Sequence, residues 1–393
     1  MKLNKNIIEY VTILLWVLLN GSALELIFGN IYIPLVFVVF VCIFLVLNKK
    51  IKIRKHNVLV FVSFFAIYII NFLIYHTQCR GPMQYVVVLF MFSCSFLFSE
   101  IMTKNNFIKK FVNVMAIIAI SSIVMHIIAF FIPIYEYAIR KPNTLHMLVG
   151  LHNYWGFSQG RNSGPFWEPG AFQIFLNLAL YFDIYMLKDT KKSNWLKIRK
   201  VFLIVGIIST VSTTGYIILL IIIIPSLFKI LKKFKYISTK IVILVICFII
   251  SSGVMVLTYN SDAVQKKFFE KNMSREIRYN DLEGSIELLS EIPLYGTGVN
   301  THLRDSFYLS KGISPNSNSV GVLASTINYG IPYIIIYIYL IIKNILRDKK
   351  RINIILIAML ILIVFSESIF EYPIMYMFLF RFKDQKKEVC QNK

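Results

Sequence analysis

Apolar runs near the length needed to cross a bilayer recur from one end of this chain to the other, and they leave few folds open. Backbone amides in hydrocarbon must be bonded within their own segment, so each run reads as a helix. The runs lie near 7–28, 31–47, 58–75, 83–98, 111–134, 171–187, 201–213, 215–228, 241–258, 320–342, 352–366 and 370–382. A 57% hydrophobic composition over 393 residues and a mean hydropathy of +0.67 exclude an ordinary soluble globule. The expectation is an all-α polytopic membrane protein, one integral domain over 1–393, with about 12 transmembrane helices (10–12).

Two pairs of runs are short for their task. Residues 201–228 are too few for two full crossings, and the Ser-Thr-rich break at 209–215 points to short helices or a re-entrant hairpin. The same ambiguity holds around Ser366–Pro373. The N-terminus resembles a signal peptide, yet Glu9, Glu25 and the lack of a small-residue cleavage site make it an uncleaved first span.

Charge orients the bundle. With both termini cytoplasmic, every second connection should be rich in Lys and Arg. Lys49–Lys55 (KKIKIRK), Lys104–Lys110, Lys188–Lys200, Lys229–Lys240, Lys343–Arg351, the tail from Arg381, Lys2 and Lys5 together hold 31 of the 42 basic residues. The net charge of +22 is thus a topological asymmetry. No base-reading motif accompanies it, which argues against nucleic acid as a partner. Cys42, Cys94 and Cys247 fall in spans, Cys390 in the tail, and Cys79 alone on the outer face, so neither an outer disulfide nor a metal pair is expected. Nucleotide-binding loops, HExxH, GxSxG and internal repeats are absent.

Two connections are long, and both fall on the predicted outer face: 135–170 and 259–319. The first carries HNYWGFSQGRNSGPFWEPGAFQI, a polar and aromatic stretch from His152 to Ile174 between apolar runs. The second carries an amphipathic segment starting near Asn280 or Asp281 and ending at Pro293, with Ile286, Leu288, Leu289 and Ile292 on its apolar face. A bend at Gly296 and Gly298, then Arg304, and a polar Asn316-Ser317-Asn318 follow.

The order R-x-S-G-x-F-x-E-P-G-A-F, a Ser/Thr-Gly-broken hairpin, R-x-x-R, E-I-P-L-Y-G-T-G and N-S-N-S resembles the O-antigen polymerase and ligase superfamily of bacterial surface-glycan enzymes. The resemblance covers about 150–340. It implies a multi-helix glycosyltransferase bundle of the GT-C type in the bacterial cytoplasmic (inner) membrane, with a large outer loop. It also implies undecaprenyl-diphosphate-linked oligosaccharide substrates, no nucleotide sugar, no metal and no other cofactor. Where ligases of this superfamily carry His-Asn, this chain has Asn316-Ser317-Asn318, and where a Ser-Arg is usual in the hairpin it has Thr213-Thr214. The first departure favours a polymerase, working in the bilayer beside a chain-length regulator, over a ligase, and the second leaves that position unable to supply a cation.

Chemistry selects the candidates within that frame. A leaving diphosphate gathers negative charge, and arginine forks onto phosphate oxygens while staying charged. Arg161 and Arg278 are the first candidates, with Arg275 and Arg304 behind them; ordinary surface pairing with Glu276, Asp281 or Asp305 is the alternative. The attacking sugar hydroxyl must lose a proton, for which Glu168, then His152 and Asp305, are candidates. Glu168-Pro169 also fits a plain helix start. Trp155 and Trp167 offer flat faces to sugar rings, or anchor the interface, and Asn316 and Asn318 add polar contacts. A lipid-linked oligosaccharide flippase or a membrane O-acyltransferase remains open. The flippase should have short loops on both faces, and the acyltransferase an exposed catalytic His.

Overall fold

The apolar composition demands that backbone groups be bonded locally, and helices meet that demand over most of the chain. The computed structural model describes residues 5–47, 53–132, 139–141, 145–148, 152–155, 160–187, 193–231, 273–313, 320–347 and 353–383. Its helices are α1 (Lys5–Leu18), α2 (Ala23–Phe28), α3 (Tyr32–Leu47), α4 (Lys55–Tyr75), α5 (Met83–Ile101), α6 (Lys104–Phe131), α7 (Pro169–Tyr181), α8 (Asn194–Ser209) and α9 (Thr213–Leu231). After these come α10 (Met273–Leu288), α11 (His302–Ser310), α12 (Gly321–Tyr329), α13 (Ile331–Leu346), α14 (Asn353–Ser366) and α15 (Pro373–Tyr376). Helices α4, α5 and Lys104–Ala129 of α6 are long and apolar enough to cross a membrane, while α3, α13, α14 and Thr213–Phe228 of α9 are shorter apolar helices.

Several expected spans are interrupted. Segment 7–28 stops at Leu18 and resumes as α2, and 320–342 is cut at Gly330. Segment 171–187 passes into a π-helix at Phe182–Met186. Segment 370–382 forms the four-residue α15 between turns. The expected span 241–258 lies outside the described residues. One element departs from the all-α reading. Strands β1 (Ile139–Lys141), β2 (Leu145–Leu148) and β3 (His152–Trp155) form an antiparallel sheet in that order, with His146 opposite Tyr154. Short alternating segments such as these carry little periodicity for sequence to reveal.

The chain divides into two compact units, residues 1–114 with 275–393, and residues 115–274. In the first, Trp16 stacks on Phe98 with centroids 5.0 Å apart and meets Phe107 and Phe111 edge-on, and Phe64 and Tyr68 pack against Phe92 in a second buried aromatic cluster. Charges inside this unit are matched: Lys110 Nζ lies 2.5 Å from Glu9 Oε2, and Arg54 lies 3.1 Å from Glu100. An unmatched charge at such depth would be costly.

The non-helical stretch around α15 is buried, so its backbone needs partners from elsewhere. Side-chain amides supply them. Asn20 Oδ1 accepts from Ile374 N, Asn344 Nδ2 donates to the carbonyls of Phe378 (3.1 Å) and Leu379 (2.7 Å), and Asn57 exchanges two 2.9 Å bonds with the backbone of Arg381. Asn71 does the same for the loop at 295–298, donating to the carbonyls of Tyr295 and Asn328.

That loop packs against the break between α12 and α13. Thr297 N and Gly298 N donate to Ile327 O and Asn328 O, and Ile331 N donates to Leu294 O. Gly330 turns the chain there at φ +89°, and a Cβ on it would lie 2.2 Å from Leu294 O.

In the second unit every residue of α7 is buried. It packs on α8 and α9, with Leu176 against Gly206. Arg199 forks onto Asp183 in the π-helix, both almost fully buried.

Gly330→Ala is expected to abolish recovery of monodisperse protein in detergent. Gly312→Ala, also at positive φ (+68°) but with open space around it, should cost about 1–2 kcal/mol and leave yield intact. Size-exclusion profiles and thermal melts of the two variants make the comparison.

Candidate functional site

Each unit carries its own cluster of polar groups. In the unit of residues 115–274 the cluster is built on the break between α8 and α9. Val211 holds φ +48°, an unfavourable setting for a β-branched residue, where the chain reverses between the two helices. The loop from Gly160 to Glu168 is fastened to that break. Asn162, fully buried, donates its backbone N–H to Ser209 O (2.9 Å) and its side-chain amide to Ser209 Oγ (3.0 Å) and Ser122 Oγ (3.2 Å). Its Oδ1 accepts from Gly164 N. Arg161, next in sequence, donates Nε to Thr210 O at 3.2 Å. Its guanidinium therefore sits at the carbonyl end of α8, where a cation is favoured by the helix dipole. Neither the hub role of Asn162 nor this capping contact was legible from spacing alone.

The first turn of α9 is packed by two amides from α7. Asn177 Nδ2 donates to Gly215 O (3.2 Å) and to Gln173 Oε1 (2.9 Å). A Cβ on Gly215 would meet the Gln173 side chain at 3.1 Å, so glycine admits that side chain.

Glu168 is the N-cap residue of α7, with Pro169 following. Its backbone carbonyl accepts from Phe172 N, but its carboxylate makes no side-chain capping bond. Trp167 is half-buried. His152, on β3, is buried with its ring centroid 5.7 Å from that of His126. Burial, then the neighbouring imidazole, lower its pKa to about 4, so it is neutral and weakly basic. Trp155 pairs through its backbone with Leu145 in the sheet. Its side chain, like that of Arg275 on α10, is outside the described atoms, and Asn316 and Asn318 are outside the described residues altogether.

In the unit containing 275–393, the expected amphipathic helix begins earlier than the sequence suggested and ends at Leu288, short of Pro293. Its buried face is also different: Asp281, Gly284, Ser285 and Leu288 turn inward while Ile286 is 54% exposed. The small residues set this register, because Gly284 lies against Ile313. Leu288, Tyr308, Ile313 and Ile327 form the core beneath, with Ile292 packed on it.

From α10, Arg278 reaches Glu367 at 3.5 Å, a partner far along the chain rather than Glu276 or Asp281. On α11, Arg304 donates Nε (3.2 Å) and Nη2 (2.9 Å) to Asp305 and lies 5.6 Å from the ring of Tyr308. Asp305 also binds Arg80 at 2.5 Å. The helix start is locked by Thr301, whose hydroxyl accepts from Arg304 N and donates to Thr297 O. Arg80 is held alongside by its N–H to Asn300 O. Two guanidinium groups on one carboxylate leave a local positive excess.

Four residues beyond Glu367 in the same turn, Glu371 Oε1 accepts from Ser325 Oγ (3.3 Å) and Asn328 Nδ2 (3.4 Å). Burial raises its pKa, opposed by these donors and by the charge of Arg304. Arg80, Glu367 and Glu371 were missed from sequence because each sits alone in an apolar or turn context; only the fold gathers them. Among the described residues no three His, Cys, Asp or Glu side chains gather as a metal site.

Asn162→Ala is expected to lower stability by about 1–3 kcal/mol, because it leaves buried partners on Ser209 and Gly164 unpaired. The measurement is the melting temperature in detergent, with an exposed Ser306→Ala as the neutral control.

Residues 200–326, about a third of the chain, match the family model of the O-antigen ligases. No curated protein and no solved structure matches the chain. The match bears out the resemblance to the O-antigen ligase and polymerase superfamily and, with the apolar helices, makes this a membrane protein.

Proposed function

On the premise that residues 200–326 belong to the O-antigen ligase and polymerase superfamily, we propose that this protein is a surface-polysaccharide polymerase. It joins undecaprenyl-diphosphate-linked repeat units at the outer leaflet of the bacterial cytoplasmic membrane. Ten to twelve crossings keep both termini in the cytoplasm, and a separate chain-length regulator is the protein partner of this reading. The donor's C1–O bond to diphosphate breaks as an acceptor hydroxyl attacks C1, and the electron pair leaves on the diphosphate. Arginines are suited to drawing off that charge.

The observation that supports the reading best is the set of arginines held on buried carboxylates in one unit: Arg80 and Arg304 on Asp305, with Glu371 in the field of Arg304, and Arg278 on Glu367. In the other unit Arg161 is a cation fastened at the α8–α9 break. In this reading Arg278 in its unit and Arg161 in the other are the candidates for the diphosphate, Arg275 and Arg304 assist, and Glu168 is a candidate to take the acceptor's proton. His152, Trp155, Trp167, Asn316 and Asn318 take part in sugar recognition. Neutral His152 is better suited to hydrogen bonding than to accepting a proton. A ligase that transfers a finished chain to a lipid acceptor is the second reading, favoured by the name of the matched family.

Purified protein in nanodiscs, given lipid-diphosphate repeat units without nucleotide or metal, is expected to produce a polysaccharide ladder. Combined Arg161→Ala and Arg278→Ala substitution should slow ladder growth by about 100-fold or more. An unchanged ladder would remove these arginines from the site. Movement of substrate between leaflets without new glycosidic bonds would favour the flippase instead.

A further inference from the structure

Attack by a sugar hydroxyl generates a proton that some group must take. Among the described residues the buried carboxylates Glu9, Glu100, Asp183, Asp305 and Glu367 are each matched to Lys or Arg, and Asp281 is buried on α10. Glu371 is held differently, by the neutral donors Ser325 and Asn328 of α12. Ser325 and Asn328 both donate to Oε1.

The donors are themselves rigidly set. Asn328 O accepts from Asn71 Nδ2 and from Gly298 N, and Gly330 N closes α12 onto Thr326 O. The backbone of the turn is equally confined: a Cβ on Gly321 would lie 2.6 Å from Glu367 O. A side chain held on such a frame keeps its geometry through a reaction.

We infer that Glu371 is the proton acceptor for the attacking hydroxyl, with Ser325 and Asn328 as its positioning residues and Arg304 as the neighbouring cation. This assignment rests on the glycosyl-transfer reading. As the acceptor oxygen bonds to C1 and the bond from C1 to the diphosphate oxygen breaks, the hydroxyl proton passes to Glu371 Oε2. The diphosphate departs with the bonding pair. Burial makes Glu371 a stronger base than an exposed carboxylate.

The test uses the full-length protein and the lipid-diphosphate repeat units that accumulate in a strain lacking it. Glu371→Gln should slow ladder growth by about 100-fold or more while undecaprenyl diphosphate still raises the melting temperature as in wild type. Glu168→Gln should slow it by less than about 10-fold. Glu371→Asp, which keeps a carboxylate, should retain activity with a displaced acid limb in its rate–pH profile. That limb is read against the groups facing Glu371: Arg304 from α11, Tyr329 from α12, Tyr333 and Tyr337 from α13, Tyr376 from α15, Tyr68 from α4 and Tyr85 from α5.

Wild-type speed in Glu371→Gln would overturn the assignment. If Glu371→Gln does not fold, an unshifted acid limb in Glu371→Asp would overturn it equally. Failure of the wild-type protein to make any ladder would instead bring down the glycosyl-transfer reading on which the assignment stands.

Discussion

A polypeptide buried in hydrocarbon or protein cannot leave its amides and carbonyls unbonded, and the buried departures from helix among the described residues are repaired by neighbouring backbone and by side chains. Asparagine performs most of the side-chain repair. Asn20, Asn57 and Asn344 hold the non-helical stretch around α15, Asn71 holds the loop at 295–298, and Asn162 holds the α8–α9 break. An amide suits the task because it offers donor and acceptor without a charge to desolvate.

These repaired breaks are also where the chemistry-bearing residues stand. Arg161 follows from the fastening of the α8–α9 break, Arg304 from the capped start of α11, and Glu367 and Glu371 from the turn between α14 and α15. A continuous helix would have pointed such side chains into lipid or into a packed interface. An interrupted one presents them at a fixed backbone position and supplies neutral donors from the neighbouring turn. The polar clusters and the broken helices therefore have the same cause.

Much of this was legible in the sequence, though unevenly. The apolar runs gave the helices because hydrophobicity at membrane length admits little else, and the family resemblance over 150–340 was met by a match at 200–326. The bend at Gly296 and Gly298 appeared as expected, with φ of +84° and +81°. The Ser366–Pro373 ambiguity was visible, but its resolution into turns was not, since the apolar letters of 370–382 suit a buried turn as well as a span. The amphipathic face of α10 was misjudged because hydrophobicity pointed to Ile286, whereas close packing selected Gly284 and Ser285. Arg278 and Glu367 could not be paired by reading, as nothing local joins residues so far apart. Asp305, by contrast, met Arg304 as the ordinary pairing alternative proposed.

The central claim is a group transfer in which a lipid diphosphate leaves as each glycosidic bond forms. The most direct measurement counts undecaprenyl diphosphate released against bonds made by the purified protein, with no nucleotide present. One molecule released for each new glycosidic bond is the predicted result. Consumption or relocation of the lipid-linked repeat unit without matching release of undecaprenyl diphosphate would contradict the account.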